Sequence, residues 1–321
     1  MWAYIVRRLL IGVPLLLAMA FVTFLFIQLS PGDMLSAYRM DPSISPEQLQ
    51  QYEQRFHLDK PVLVQFGVWL WNLGHGDLGE SFVRKAPVAD VLRSRLWNTV
   101  LLSLSSFLFT WVVALPLGIY AAVHQYSRTD KLFSVLAFLG MSLPAFFSAL
   151  LLLYLISLTG WLPLGGMVSA GFEQFSPLAK VLDVATHLLV PTVVIGASAV
   201  GGLQRLTRGN MLEVLRQQYI TTARAKGLPE HRVIYRHALR NAINPLITIF
   251  GYQFSALLSG AALTETIVSW PGLGSLMLEA VLAKDYYLVM GDVLVAGMLL
   301  IFGNLLADVL LAYVDPTISV S

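Results

Sequence analysis

The sequence predicts an all-α integral membrane protein with six transmembrane helices, and three observations carry that expectation. Of 321 residues, 56% are hydrophobic and 12% charged, against roughly 25% charged in an ordinary globular chain. That is too few charges to clothe a water-soluble particle of this size, but enough where lipid covers the girth. Uncharged stretches matching the roughly 20 residues needed to cross about 30 Å of hydrocarbon recur along the chain. Lysine and arginine are also distributed unevenly among the connections.

Taken in order, Leu9 to Gly32 is free of charge after Arg7 and Arg8, Leu96 to Ser127 after Arg95, and Leu132 to Phe172 after Lys131. Val184 to Gln204 follows Asp183, Asn241 to Thr264 follows Arg240, and Val293 to Val314 carries only Asp308. The first stretch also reads as a signal peptide, with Ala18-Met19-Ala20 as the cleavage site. Its apolar run continues to Leu29, however, which favours an uncleaved anchor. Trp2, Trp97 and Trp161 fall where spans begin or end, as an aromatic belt requires. The expected organisation is a basic N-terminus and first span over 1–29, an external loop over 30–98, a five-helix core over 99–314 containing a polar loop at 205–240, and a tail over 315–321.

Orientation follows from the positive-inside rule. With the N-terminus in the cytoplasm, the inside segments hold Arg7 and Arg8, then Arg128 and Lys131, then eight basic residues from Arg205 to Arg240. The short outside loops hold only Lys180 and Lys284, and the long 30–98 loop is exempt because loops of that length translocate largely regardless of charge. Both termini, Arg128 and Arg224 are therefore expected in the cytoplasm, with Glu47 and Ser169 outside.

The external loop carries helix signals. Ser45-Pro46-Glu47-Gln48 reads as an N-cap, a proline at N1 and a glutamine at N3, followed by Leu49, Tyr52 and Phe56 on one face. From Pro61 to Leu73 a second amphipathic helix gathers Phe66, Trp69, Leu70 and Leu73, to lie on the membrane surface or pack on helix ends. In the 205–240 loop, Tyr219 to Lys226 reads as a helix ended by Gly227. Pro229 then opens a second helix, on which Arg232, Arg236 and Arg240 form a basic stripe. Contact with anionic lipid accounts for such a stripe, but not for an alanine-bearing helix ended by glycine.

Several chemistries are excluded. The chain has no cysteine, hence no disulfide, thiolate metal site or cysteine nucleophile. No G-x-x-x-x-G-K-[ST] loop is present to bind ATP, H-E-x-x-H and G-x-S-x-G are missing, and the six histidines offer no i, i+4 metal pair. Net charge is +2, so nothing points to nucleic acid. Glu265, Asp292, Asp308 and His187 lie in or near spans. Glu265 and Asp308 are expected at opposite interfaces, whereas Asp292 either faces an aqueous pathway or sits at the outer end of the last helix. Prolines 14, 116, 144, 191 and 245 are expected to bend or break five spans.

Tyr219-Ile220-Thr221-Thr222-Ala223-Arg224-Ala225-Lys226-Gly227-Leu228, followed by His237-Ala238-Leu239-Arg240-Asn241 and Pro245, resembles the coupling loop of permeases in ATP-binding-cassette importers of the peptide and nickel branch. Arg7-Arg8-Leu9, Ser30-Pro31-Gly32-Asp33, Gly76-Asp77-Leu78-Gly79, Ser142-Leu143-Pro144, Gly160-Trp161-Leu162-Pro163, Thr264-Glu265, Trp270-Pro271-Gly272-Leu273-Gly274 and Asp315-Pro316 extend the likeness over nearly the whole chain. The short basic N-terminus and Pro31-Gly32-Asp33 resemble the B-type rather than the C-type permease. The superfamily's Glu-Ala-Ala reads Thr222-Ala223-Arg224 here, the usual form of the peptide branch, and Thr317 stands where relatives often carry arginine.

The resemblance implies a type I importer permease fold in the inner membrane of a prokaryote and a chain with no cofactor or metal of its own. ATP and Mg would sit on two ATPase subunits, beside a second, C-type permease and an external solute-binding protein. It also implies that Tyr219, Ala223, Arg224, Ala225, Lys226, Gly227, Leu228 and His237 engage the ATPase, with small Ala223 and Ala225 allowing close approach. Trp270, Pro271 and Gly272 would face the binding protein or fill a gap between helix ends. The cargo, whether dipeptide, longer peptide, glutathione, nickel complex or sugar, has no motif. An ion-coupled carrier using Asp292 would require paired repeats, and none is evident. An intramembrane hydrolase using Asp292 and Asp308 fails because sixteen residues of one helix separate them by about 24 Å.

Overall fold

The computed structural model describes residues 2–32, 34–39, 44–247, 249–250, 253 and 262–314, excepting the side chains of 2–4, 37, 307 and 310–314. Of the expected span 241–264, residues 248, 251, 252 and 254–261 fall outside the described residues, as do Asp33 and the tail 315–321. Helix α1 (Trp2–Leu29) is followed by α2 (Ser36–Arg39), α3 (Pro46–Arg55) and α4 (Val62–Gly74). An antiparallel hairpin comes next, in which β1 (Glu80–Ser81) pairs with β2 (Ala86–Pro87), and then α5 (Val88–Val123). Helices α6 (Arg128–Ser142) and α7 (Ala145–Thr159) precede α8 (Pro177–Leu215), α9 (Gln218–Ala225) and α10 (Glu230–Arg232). A π-helical turn (Val233–Ala238) and α11 (Leu239–Ala242) follow, and α12 (Ala262–Ile267), α13 (Leu273–Leu282) and α14 (Tyr286–Val314) complete the described chain.

Helices α1, α5, α8 and α14 are long and apolar enough to cross a membrane, and the pair α6 and α7, bent by 109°, makes a fifth if counted as one span. The expected six are thus five among the described residues. Pro144 is the break in the third: it forces Leu143 into an extended conformation (ψ 130°), and the helix restarts after it. Pro14, Pro116 and Pro191 instead lie inside continuous helices, so of the expected bend or break none of these three makes a break. At 36 and 39 residues, α5 and α8 reach about 54 and 58 Å, well beyond about 30 Å of hydrocarbon. That is why α5 begins inside the expected 30–98 loop, since a helix is not obliged to stop where its apolar window does.

The 30–98 segment folds onto the bundle. Ser45 forms the expected capping box, its Oγ accepting from the Gln48 amide and its own N–H donating to the Gln48 side chain. Phe56 is buried beside Tyr38, Tyr52, Phe82 and Tyr287. Trp69 of α4 is 1% exposed and packs with Phe66, Leu70 and Leu73 against Leu16, Ala20 and Phe24 of α1 and Met290 and Leu294 of α14. The apolar face of α4 therefore covers helix sides rather than lying free.

Asp285 fastens hairpin to helix. Completely buried, its carboxylate accepts from Ser81 Oγ at 2.6 Å, the Val83 amide at 3.1 Å and the Leu288 amide at 3.2 Å. The last of these caps α14. Asp285→Ala strips two buried donors and one part-buried donor of their acceptor and should destabilise the fold by about 3 kcal/mol. Thermal melting of the detergent-purified protein checks this, with Asp285→Asn expected to retain part of the loss.

Candidate functional site

The 205–240 segment forms a helix seated on the ends of two spans. Ile220 and Ala223, three residues apart on one face of α9, are buried against Ile119 and Ala122 of α5, Met211 of α8, and Val233, Ile234 and Ala238 of the π-helical turn. The opposite face, with Tyr219, Thr222, Ala225 and Lys226, is exposed. Helix α9 ends as the sequence requires. Gly227 adopts φ +76°, its N–H donates to the Arg224 carbonyl, and the Leu228 N–H donates to the Ala223 carbonyl, which is the Schellman pattern. Leu228 packs on the same cluster.

The small side chain of Ala223 lets α9 sit closely on this chain's own helices. The Arg224 guanidinium pairs with Glu230, with Nη2–Oε1 at 2.7 Å, and that hydrogen bond holds the Glu230 carboxyl below its usual range and raises Arg224. Pro229 caps α10 from outside rather than occupying its first position. Arg232, Arg236 and Arg240 are all exposed. His237 is half-buried, its carbonyl accepting from Asn241 Nδ2, which also reaches the Tyr219 hydroxyl.

At the other end of the bundle, the segment 265–275 is a seam rather than an outward loop. Trp270 is 1% exposed, lies among Leu102, Ala149, Ile156, Val190 and Val194, and donates from Nε1 to the Asn98 carbonyl. Asn98 Nδ2 in turn donates to the Pro271 carbonyl. Gly272 is buried, and a Cβ built on it would lie 2.5 Å from Glu265 Oε2. Of the two expectations for this segment, facing a binding protein or filling a gap between helix ends, the burial of Trp270 and Gly272 fits the second, and Pro271 is half-buried.

Glu265 is not at a solvated interface either. It is 1% exposed and accepts from the Ser275 amide at 2.7 Å, while Thr99 Oγ1 accepts from the Leu273 amide. Together they satisfy the free amides of the first turn of α13. Asp308 pairs with Arg8 at 2.9 Å, joining α14 to α1. Asp292 is 3% exposed, so it meets neither lipid nor open water in this conformation, and its Oδ1 accepts no hydrogen bond among the described residues.

Sequence reasoning missed the partners of these groups. It also missed Asp130, which accepts a bidentate pair from Arg208. Its local signal was present, since Ser127-x-x-Asp130 is a helix-start signature and Ser127 Oγ does accept from the Asp130 amide. No group of three metal-ligating side chains occurs among the described residues.

Apolar helices long enough to cross a membrane, tied near their ends by buried polar groups and carrying a capped helix on one end, make this a multi-pass helical membrane protein. Residues 114–320 match the family "Binding-protein-dependent transport system inner membrane component", and residues 1–105 match its N-terminal counterpart. The chain belongs to this family, and it is a permease subunit of an ATP-driven importer. It is 39% identical to the oligopeptide transport system permease protein AppB of Bacillus subtilis over 99% of both chains. Identity to the dipeptide transport system permease protein DppB of Escherichia coli K12 is 37%, again over 99% of both. The methionine ABC transporter MetNI, solved in inward-facing conformations, shares the fold with TM-score 0.53 at 18% identity, covering 70% of this chain and 96% of that one.

Trp270→Ala leaves a large interior void and should cost about 3–5 kcal/mol, read as a fall in melting temperature of the purified complex before any change in its stimulation by a binding protein. Gly227→Ala forces an L-residue into a left-handed turn at about 1–2 kcal/mol, read as faster proteolysis within 219–230. Arg224 and Glu230 are both well exposed, so screening limits their pair to about 0.5 kcal/mol. Because Glu230 is lowered from 4.5, that contribution is complete above pH 4.5 and fades as pH falls through the folded value. Glu230→Gln should flatten this acid-side dependence in a pH series of melting temperatures.

Proposed function

We propose that this permease carries peptides into the cytoplasm, paired with a second, C-type permease, driven by two ATP-binding subunits that hold ATP and Mg, and supplied by an external solute-binding protein. The cargo reading rests on the likeness over essentially the whole chain to permeases named for oligopeptide transport at 39% and dipeptide transport at 37%, and to one named as a putative peptide permease at 40%. Both termini and the 205–240 segment lie in the cytoplasm in this reading, supported by the clustering of arginine and lysine there.

The observation that carries the mechanism is the division of α9 into two faces. Ile220 and Ala223 bind it to the ends of α5 and α8, while Tyr219, Thr222, Ala225 and Lys226 remain open. An ATPase that gripped the open face would move the two spans through the closed face. Gly227 and Leu228 hold the helix end, His237 and Asn241 brace Tyr219, and Arg224 is steadied by Glu230. Asp292 is the candidate acidic group of the pathway, reached when the helices around it part.

Substitution separates the two faces. Ala225→Glu adds bulk and charge only to the open face, so uptake should fall at least tenfold while the chain stays folded. Ala223→Glu buries a charge under α9 and should prevent assembly. Uptake of labelled dialanine, trialanine and penta-alanine in cells, with a chromosomal deletion as baseline, tests cargo. Wild-type transport of none of the three counts against peptides, and an Ala225→Glu variant with normal uptake counts against the open face. Single cysteines at 47, 169 and 224, in a chain that has none of its own, test sidedness: labelling of 224 from outside intact cells reverses the orientation.

A further inference from the structure

We propose that Asp130 and Arg208 are positioning residues that pass the displacement of α9 to the bent α6–α7 span, so that α5, α6 and α8 move as one body. The inference rests on the coupling reading above and adds a third helix to it.

The geometry is that of a fixed joint. Asp130 is 2% exposed. Arg208 Nε donates to Oδ1 at 2.7 Å and Nη2 to Oδ2 at 2.8 Å, a fork that sets angle as well as distance. The Tyr126 amide donates to Oδ2 at 2.8 Å, from a residue at φ 66° in the turn between α5 and α6. Ser127 Oγ accepts from the Asp130 amide and caps α6. One carboxylate thus joins α6, the α5–α6 turn and α8. Breaking such a pair strands a nearly buried charge, so the joint either holds or fails and does not slide.

Its position matters as much as its strength. Arg208 lies one helical turn before Met211, which is buried directly beneath α9. The apolar cluster under α9 contains residues of α5 and α8 but none of α6 or α7, so α9 has no apolar hold of its own on the bent span. Beyond the joint the three helices approach at backbone distance. A Cβ on Gly118 of α5 would lie 2.6 Å from Thr207 Cβ on α8, and a Cβ on Gly201 of α8 would collide with the Ala137 carbonyl of α6. Interfaces this close transmit movement without absorbing it.

The test uses the complete transporter, purified with its partner subunits in lipid nanodiscs and carrying pairs of spin labels in a chain without native cysteine. One pair joins Leu10→Cys on α1 to Thr222→Cys on α9, and the other joins Leu10→Cys to Leu158→Cys on α7, all three positions being exposed. In the wild type, ATP-Mg with vanadate should shift both distances. In Asp130→Asn the 10–222 shift should persist and the 10–158 shift should fall to less than half, with stimulation of ATP hydrolysis by the binding protein reduced at least fivefold. The exchanged pair, Asp130→Arg with Arg208→Asp, should restore both shifts.

A pair that only held the fold would lower the melting temperature and leave the 10–158 shift at its wild-type size, and that result overturns the proposal. So does an exchanged pair that assembles without recovering the shift. No 10–222 shift in the wild type would instead sink the coupling reading itself.

Discussion

Inside hydrocarbon no water competes for the peptide groups, so every backbone donor and acceptor must find its partner within the protein. That constraint makes this chain helical, and it makes the ends of its helices the costly places. A helix interior satisfies itself, whereas its first amides and last carbonyls do not. The polar residues that matter most here gather at such ends: Asp285 at the start of α14, Thr99 and Glu265 at the start of α13, Ser127 and Asp130 at the start of α6.

Each of these caps is also a tie. Ser81 and Val83 reach Asp285 from the hairpin, Thr99 serves α13 from α5, and Arg208 reaches Asp130 from α8. In water a helix end can be satisfied by solvent at little structural consequence. Here the obligation to satisfy it is discharged by another element of the fold, so capping and tertiary connection become the same interaction. The bundle is thereby joined near its ends, while its closely packed middle also buries small polar side chains such as Ser106, Thr110 and Thr207.

Residue size follows the same division of labour. Ala223, which allows α9 to settle on α5 and α8, and Gly272, pressed against the Glu265 carboxylate, are small because of what lies beneath them in this chain. Ala225, two residues beyond Ala223, is turned outward and exposed. The inner face of α9 is bound to α5 and α8 while its outer face is open, and its Gly227 turn fixes where the helix ends.

What the sequence determined by itself is what acts within about one helical turn, together with what the bilayer imposes. Up to five of the charge-free spans, the Ser45 capping box, the Gly227 terminus and the restart of the helix after Pro144 were legible, because each depends on residues close in sequence or on the length of an apolar run. So was the absence of a P-loop. The tertiary structure alone decided the rest. It turned Trp270 inward, buried Glu265 instead of leaving it at an interface, gave Arg224 to Glu230, and paired Asp130 with Arg208 across 78 residues and Ser81 with Asp285 across 204. The physical reason is range: periodicity and capping rules report which face of a helix is apolar and where it ends, but which partner a buried charge meets is settled only when the helices pack.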